Sequence, residues 1–197
     1  MIKIDFSFYI ALLLALFSHQ IDIYLTYLIA ILIHECGHLV LATLFQWRII
    51  EFRVSAIGGF LTFENDLSRP VIQSLIVATG GVIFNLIFGL FLLAINGPVS
   101  LIYAQFAIAI FNLLPIAPLD GSRIVQSLLR IIMNYSRVLK VTKVLNVVGL
   151  FLFTVFVLAF NLEQYFFVII VLAFLVGKFH ATAPYIYERY KIQKGGI

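Results

Sequence analysis

Apolar residues fill this chain in long blocks separated by short polar interruptions, a spacing set by membrane thickness and not by the period of a half-buried helix or strand. Six blocks stand out, at residues 4 to 18, 21 to 45, 71 to 95, 99 to 119, 144 to 160 and 164 to 179. The first and the last two are short for a full crossing and need flanking residues or a locally thinned bilayer. Between the second and third blocks, residues 48 to 64 alternate in character around Gly58-Gly59, which predicts a β-hairpin. Pro115 and Pro118 remove backbone donors near the end of the fourth block and break its helix there. Irregular backbone at that depth is tolerated only where it lines protein or a water-filled cavity. Residues 121 to 143 carry five basic groups among apolar ones and predict an amphipathic helix lying on one leaflet, held by its apolar face and by anionic lipid. The expected fold is an all-α polytopic membrane protein with about six transmembrane helices and a small β-hairpin between helices 2 and 3.

Composition fixes the setting. Of 197 residues, 63% are hydrophobic and 11% charged, and the mean hydropathy is +1.11. A soluble globular domain is excluded. The net charge of +4 speaks about topology and not about nucleic acid, which is not an expected partner. With the N-terminus inside, six crossings place all 13 Lys and Arg residues on one side. The positive-inside rule makes that side the cytoplasm, with the hairpin and both termini on it. The one cysteine, Cys36, excludes an intrachain disulfide and reads as a packed thiol. No cleavable signal peptide is expected, because the first apolar run lacks a basic flank beyond Lys3 and a small-residue cleavage site.

The chemistry lies in His34-Glu35-Cys36-Gly37-His38, in the later half of the second block. On a helix the two imidazoles lie one turn apart and about 40° from each other, so both can reach one metal ion. Glu35 beside them can take a proton from water. An isolated match to so short a pattern is often chance. Here two His and a Glu lie in an apolar span, where each costs on the order of a few kcal/mol to insert without a strong partner such as a metal.

Six further positions are chemically informative. Asn85 lies between Gly81 and Gly89 on one helix face; the glycines suit close helix packing, and the amide needs either a carbonyl across the interface or a partner in an active cavity. Asp120 follows the broken end of the fourth block, at the depth expected for the two imidazoles, and suits a third ligand. A helix N-cap or an ion pair to Arg123 would also account for it. Gly58, Gly59 and Phe60 of the hairpin, together with Pro115, are expected to line a cavity or touch a substrate. An exposed strand edge there can hold an extended peptide by β-addition; a plain surface connector is the alternative.

Taken together, His34-Glu-Cys-Gly-His38 and Asn112-Leu-Leu-Pro115-Ile-Ala-Pro118-Leu-Asp120-Gly121 resemble the site-2 protease family of intramembrane zinc metalloproteases. Gly81-Val-Ile-Phe-Asn85 is similar to that family's Gly-Pro-x-x-Asn element, with Val82 in place of proline. Phe45-Gln-Trp47-Arg48-Ile49, Gly58-Gly59 and Arg69-Pro70 resemble the sporulation subgroup, the stage IV sporulation protein FB type. The resemblance runs over residues 20 to 130, and the chain reads as one protease domain over residues 1 to 197 without the nucleotide-sensing CBS pair of some relatives. It implies one Zn2+ held by His34, His38 and Asp120, Glu35 as general base, and Asn112 steadying substrate or oxyanion. It also implies a membrane-associated substrate such as a pro-sigma factor, and membrane inhibitor proteins as partners. An inactive protease-like binding protein or a metal transporter is the alternative, and the presence of Glu35 argues against both.

Overall fold

A computed structural model describes residues 2–55, 58–63 and 69–159. The chain divides into two compact units, Met1–Asn112 and Leu113–Ile197.

In the first unit the order is β1 (Ile2–Ile4), α1 (Phe6–Phe17), α2 (Ile21–Leu44), β2 (Ile49–Ser55), β3 (Gly58–Phe63), α3 (Val71–Ala94) and α4 (Val99–Asn112). Apolar runs without internal proline favour helix once no water competes for the backbone. Helices α1, α2 and α3 each end with a left-handed residue, at His19, Gln46 and Asn96. Behind it the chain turns back, as where Trp47 N–H donates to the Ala42 carbonyl (2.9 Å) and Gly97 N–H to that of Leu92 (2.8 Å). Such closures satisfy carbonyls that the helix leaves open. Helices α2 and α3 meet backbone to backbone: a Cβ at Gly37 would collide with the Gly80 carbonyl, and one at Gly80 would come within 2.8 Å of the Gly37 oxygen.

The sheet has the order β1-β2-β3. The expected hairpin strands are present, with β2 and β3 antiparallel, but Gly58 and Gly59 lie inside β3, pairing with Ser55 and Val54; residues 56 and 57 lie outside the described residues. β1 pairs parallel with β2. Three residues are too few to register as an alternating pattern, so the strand is invisible in the sequence. Its pairing sets the start of α1 beside the end of α2, making the two helices an out-and-back pair. An apolar cluster of Ala42, Trp47, Phe63 and Val77 ties the sheet to α2 and α3, with Trp47 and Phe63 edge to face at 5.3 Å.

The second unit holds α5 (Asp120–Ile132) and α6 (Tyr135–Ala159). The expected amphipathic helix over 121 to 143 is thus two pieces, because Asn134 starts a new helix by accepting from the N–H groups of Arg137 and Val138. Arg137, Lys140 and Lys143 belong to α6, exposed along its first turns, so this span begins at Tyr135 and not at residue 144. Long cationic stems can lie along an apolar surface, which a count of apolar residues alone overlooks.

Helices α2, α3 and α6 are long and apolar enough to cross a membrane, and their outward faces carry exposed Leu, Ile, Val and Phe. Among the described residues α1 and α4 are shorter than six full crossings require: at 1.5 Å per residue they span roughly 18 and 21 Å. α4 stops at Asn112 because Pro115 and Pro118 follow. The expected crossing at 164 to 179 lies outside the described residues. Cys36 is exposed on α2 and not packed, since the helix turns that face away from α3.

On the surface of the sheet, Glu51 accepts hydrogen bonds from Lys3 and Arg53, each at 2.8 Å. These donors, Lys3 foremost, hold its carboxyl below the ordinary carboxylate range. A folded-state pKa lowered in this way contributes stability above the unfolded value of about 4, and the contribution is lost as pH falls through the lowered one. Solvent screening keeps it small. Amide exchange in β1, corrected for intrinsic rates, is expected to accelerate on acidification through this range, and Glu51→Gln should remove the dependence.

Candidate metal centre

The first unit builds its polar site where α2 and α3 are closest. His34 and His38 lie one turn apart on α2, both only 4% exposed. Each ring is held through Nδ1. The Nδ1–H of His34 donates to Oδ1 of Asn85 on α3 (2.6 Å), and that of His38 donates to the Val77 carbonyl (2.7 Å). A carbonyl only accepts, which fixes the tautomer of His38. The orientation of Asn85 is fixed as well, because its Nδ2 donates to the Ala30 carbonyl (2.9 Å) and to Oε1 of Gln105 (2.5 Å), leaving Oδ1 for His34.

With both Nδ1 atoms protonated, both Nε2 atoms carry lone pairs, and these lie 3.3 Å apart. Two lone pairs so close repel unless a cation accepts both. Tetrahedral zinc with Zn–N bonds of about 2.0–2.1 Å separates two nitrogens by roughly 3.3–3.4 Å, so the pair fits such an ion. Outer partners that hold a His by its other nitrogen are the usual support of a metal ligand.

Two glycines make the space. A Cβ at Gly81 would fall 2.5 Å from the His34 ring, and one at Gly59 would fall 2.5 Å from Cγ of Glu35. Strand β3 therefore runs against Glu35, the part-buried carboxylate next to both imidazoles in sequence. Gly58 opens the same strand; the Phe60 side chain lies outside those described. β3 is an edge of the sheet among the described residues. Asn112, at the end of α4, donates through Nδ2 to the Ile108 carbonyl one turn back (3.0 Å).

The second unit positions Asp120. Residues 113–119 are irregular, with a cis Ala117-Pro118 bond, and Pro115 lies part-buried in this stretch. Asn146 of α6, fully buried, accepts through Oδ1 from the Ala117 N–H (3.0 Å) and the Ser122 hydroxyl (3.2 Å). A Cβ at Gly121 would collide with the carbonyls of Leu113 and Leu114, so the stretch folds tightly over the start of α5. Asp120, 6% exposed, is the first residue of α5. It is not an N-cap, since Leu119 holds that position without a side-chain bond. Burial of a carboxylate calls for a compensating partner, and the helix N-terminus supplies part of it.

Sequence reading missed Gln105 and Asn146, two amides within apolar helices. The signal that singled out Asn85, a polar side chain where lipid-facing residues prevail, applies to both.

The family profile described as Peptidase family M50 matches residues 23–100 and 98–156. Stage IV sporulation protein FB of Bacillus subtilis (strain 168) is 33% identical over 122 residues, covering 56% of this chain and 41% of that protein. The chain thus spans well under half the length of that curated relative. Among solved structures, the Site-2 Protease from Methanocaldococcus jannaschii superposes with a TM-score of 0.68 over 91% of this chain and 90% of that one, at 21% identity, a likeness of fold.

Gly81→Val is expected to displace the His34 ring and weaken zinc binding by about 10- to 100-fold, as loss of ligand support does elsewhere. Competition with a chromophoric chelator measures it. Affinity equal to wild type would show that the ring does not need this space.

Proposed function

The chain belongs to peptidase family M50, and from that membership we propose that it is an intramembrane zinc metalloendopeptidase acting on a membrane-associated protein. The observation that carries the reading is the pair of Nε2 atoms 3.3 Å apart, each imidazole held by its own Nδ1 partner, with Glu35 adjacent. His34 and His38 would hold the ion, with Asp120 as third ligand. The burial of Asp120 and its place after the Asn112 to Pro118 stretch support that assignment.

Zinc, when bound, supplies Lewis-acid polarisation of a carbonyl and lowers the pKa of water to about 7. The residues do the rest. Asn85 and the Val77 carbonyl keep the two imidazoles aimed, each through its Nδ1. Glu35 takes a proton from water as its oxygen bonds to the scissile carbonyl carbon, and returns the proton to the amine nitrogen as the C–N bond breaks. The open edge of β3 passes Glu35 at Gly59, where an unwound segment can add as a further strand. Main-chain pairing of this kind demands little of the substrate sequence. Asn112 is assigned to steadying substrate or oxyanion, which requires its amide to leave the Ile108 carbonyl.

The resemblance to the sporulation subgroup supports a pro-sigma factor as substrate and membrane inhibitor proteins as partners. Counted over the six crossings expected from the sequence, all 13 basic residues fall on one side, which supports cytoplasmic termini and a site toward the cytoplasmic side.

Glu35→Gln is expected to reduce processing of a co-expressed precursor by at least about 100-fold, the range of a lost general base, while zinc content stays at wild-type level. Unchanged processing would remove the mechanism. Asp120→Ala is expected to lose zinc, read by metal analysis of the purified protein; full occupancy in that variant would refute the third ligand.

A further inference from the structure

Gln105 lies on α4 with its side chain wholly buried, in a helix otherwise made of apolar and small residues at its packed positions. It makes one polar contact of note, accepting through Oε1 from Nδ2 of Asn85. Its own Nε2 is buried and has no hydrogen-bond partner among the described residues. Such a side chain is poorly suited to packing alone, since a leucine would fill similar volume without an unsatisfied donor. The reason for an amide at this position must lie in what its oxygen does.

Asn85 has one amide with two chemically different ends, and its rotation about the terminal torsion by half a turn would exchange them. The hydrogen bonds of Nδ2 to Ala30 and Gln105 decide which end faces His34. In the observed orientation Oδ1 accepts from His34, so the ring proton is on Nδ1 and the Nε2 lone pair points toward His38. In the exchanged orientation Nδ2 would face Nδ1, and His34 would have to carry its proton on Nε2, where it blocks a metal. On the far side of Asn85 the Ala30 carbonyl, which can only accept, takes one hydrogen of Nδ2, and Oε1 of Gln105 takes the other. The space for it is made by Gly89, where an added Cβ would stand 3.3 Å from Cβ of Gln105 and 3.1 Å from the Phe106 ring. Gly81, Asn85 and Gly89 thus form one face of α3 that admits His34, bridges, and admits Gln105 in turn.

We infer that Gln105 is a positioning residue: with the Ala30 carbonyl it holds Asn85 in the orientation that puts the His34 proton on Nδ1 and leaves Nε2 open to a metal ion. The inference rests on the reading of His34 as a ligand, and the two are separable. Full-length protein in detergent micelles is titrated with zinc against a chromophoric chelator, and the thermal midpoint of the metal-free form is measured alongside. Gln105→Leu is expected to raise the zinc dissociation constant by about 10- to 100-fold without lowering the metal-free midpoint. Gln105→Glu, which keeps an acceptor for Asn85, should restore affinity. In an Asn85→Ala background Gln105→Leu should add nothing further. Wild-type affinity in Gln105→Leu, with affinity lost in His34→Ala, would overturn the inference and leave the ligand reading intact. Unchanged affinity in His34→Ala as well would overturn the ligand reading itself. If Leu and Glu at position 105 lower affinity and metal-free midpoint together, the role is structural and the inference fails.

Discussion

An imidazole can serve a metal inside an apolar helix pair only if its proton is on the far nitrogen, and that proton needs an acceptor where water is scarce. This constraint bears on the first unit, where His34 and His38 are the proposed ligands. For His38 the acceptor is a backbone carbonyl, Val77, which has no alternative state. For His34 it is a side-chain amide, Asn85, which has two. The arrangement around Asn85 follows from the difference: an amide that could rotate is anchored at Nδ2 by a carbonyl from its neighbour helix and by a second amide beyond it.

Anchors of this kind work only at short range, so the helices must approach closely. Gly37 and Gly80 bring the backbones of α2 and α3 into contact, a distance at which side chains of ordinary size would hold the imidazoles away from α3. Between lipid-solvated helices there is little hydrophobic drive to association, and close packing with interhelical hydrogen bonds takes its place. The polar contacts and the glycines are therefore parts of one solution: the glycines permit the distance, and the hydrogen bonds reward it. The same logic holds within the second unit, where Gly121 lets the irregular stretch fold onto α5 and Gly149 stands against Ile116.

Much of this was legible in the residues. Helical spacing placed His34 and His38 together, the cost of an amide in lipid required a partner for Asn85, and both alternatives considered for it are met at once, a carbonyl of α2 and a residue of the site. Two prolines ended α4 where expected. What escaped reading depends on neighbours in space. Gly37 and Gly80 look like ordinary residues of two separate helices. The glycines of β3 looked like a turn because the pattern around them is symmetric, whereas Gly59 lets Glu35 lie against the strand. β1 is too short to show an alternation, and the basic start of α6 hides its helix from any apolar count.

A chain that must keep an irregular segment ordered within an apolar setting faces the problem of unpaired backbone donors. In the stretch before Asp120, one fully buried side chain answers much of it. Asn146 takes the Ala117 N–H, the donor just before the second proline, and the Ser122 hydroxyl within the first turn of α5. Ser122 accepts in turn from Gln126 (3.2 Å), so the chain of bonds continues along α5. One amide oxygen thereby ties both sides of Asp120 to a single point on α6. A lone salt bridge or cap would fix the carboxylate but leave the segment free to slide; bonds on both flanks fix the segment itself. In each unit, then, a buried asparagine on a neighbouring helix orders the surroundings of a residue proposed to hold metal: Asn85 bonds His34 directly, and Asn146 holds the chain on either side of Asp120.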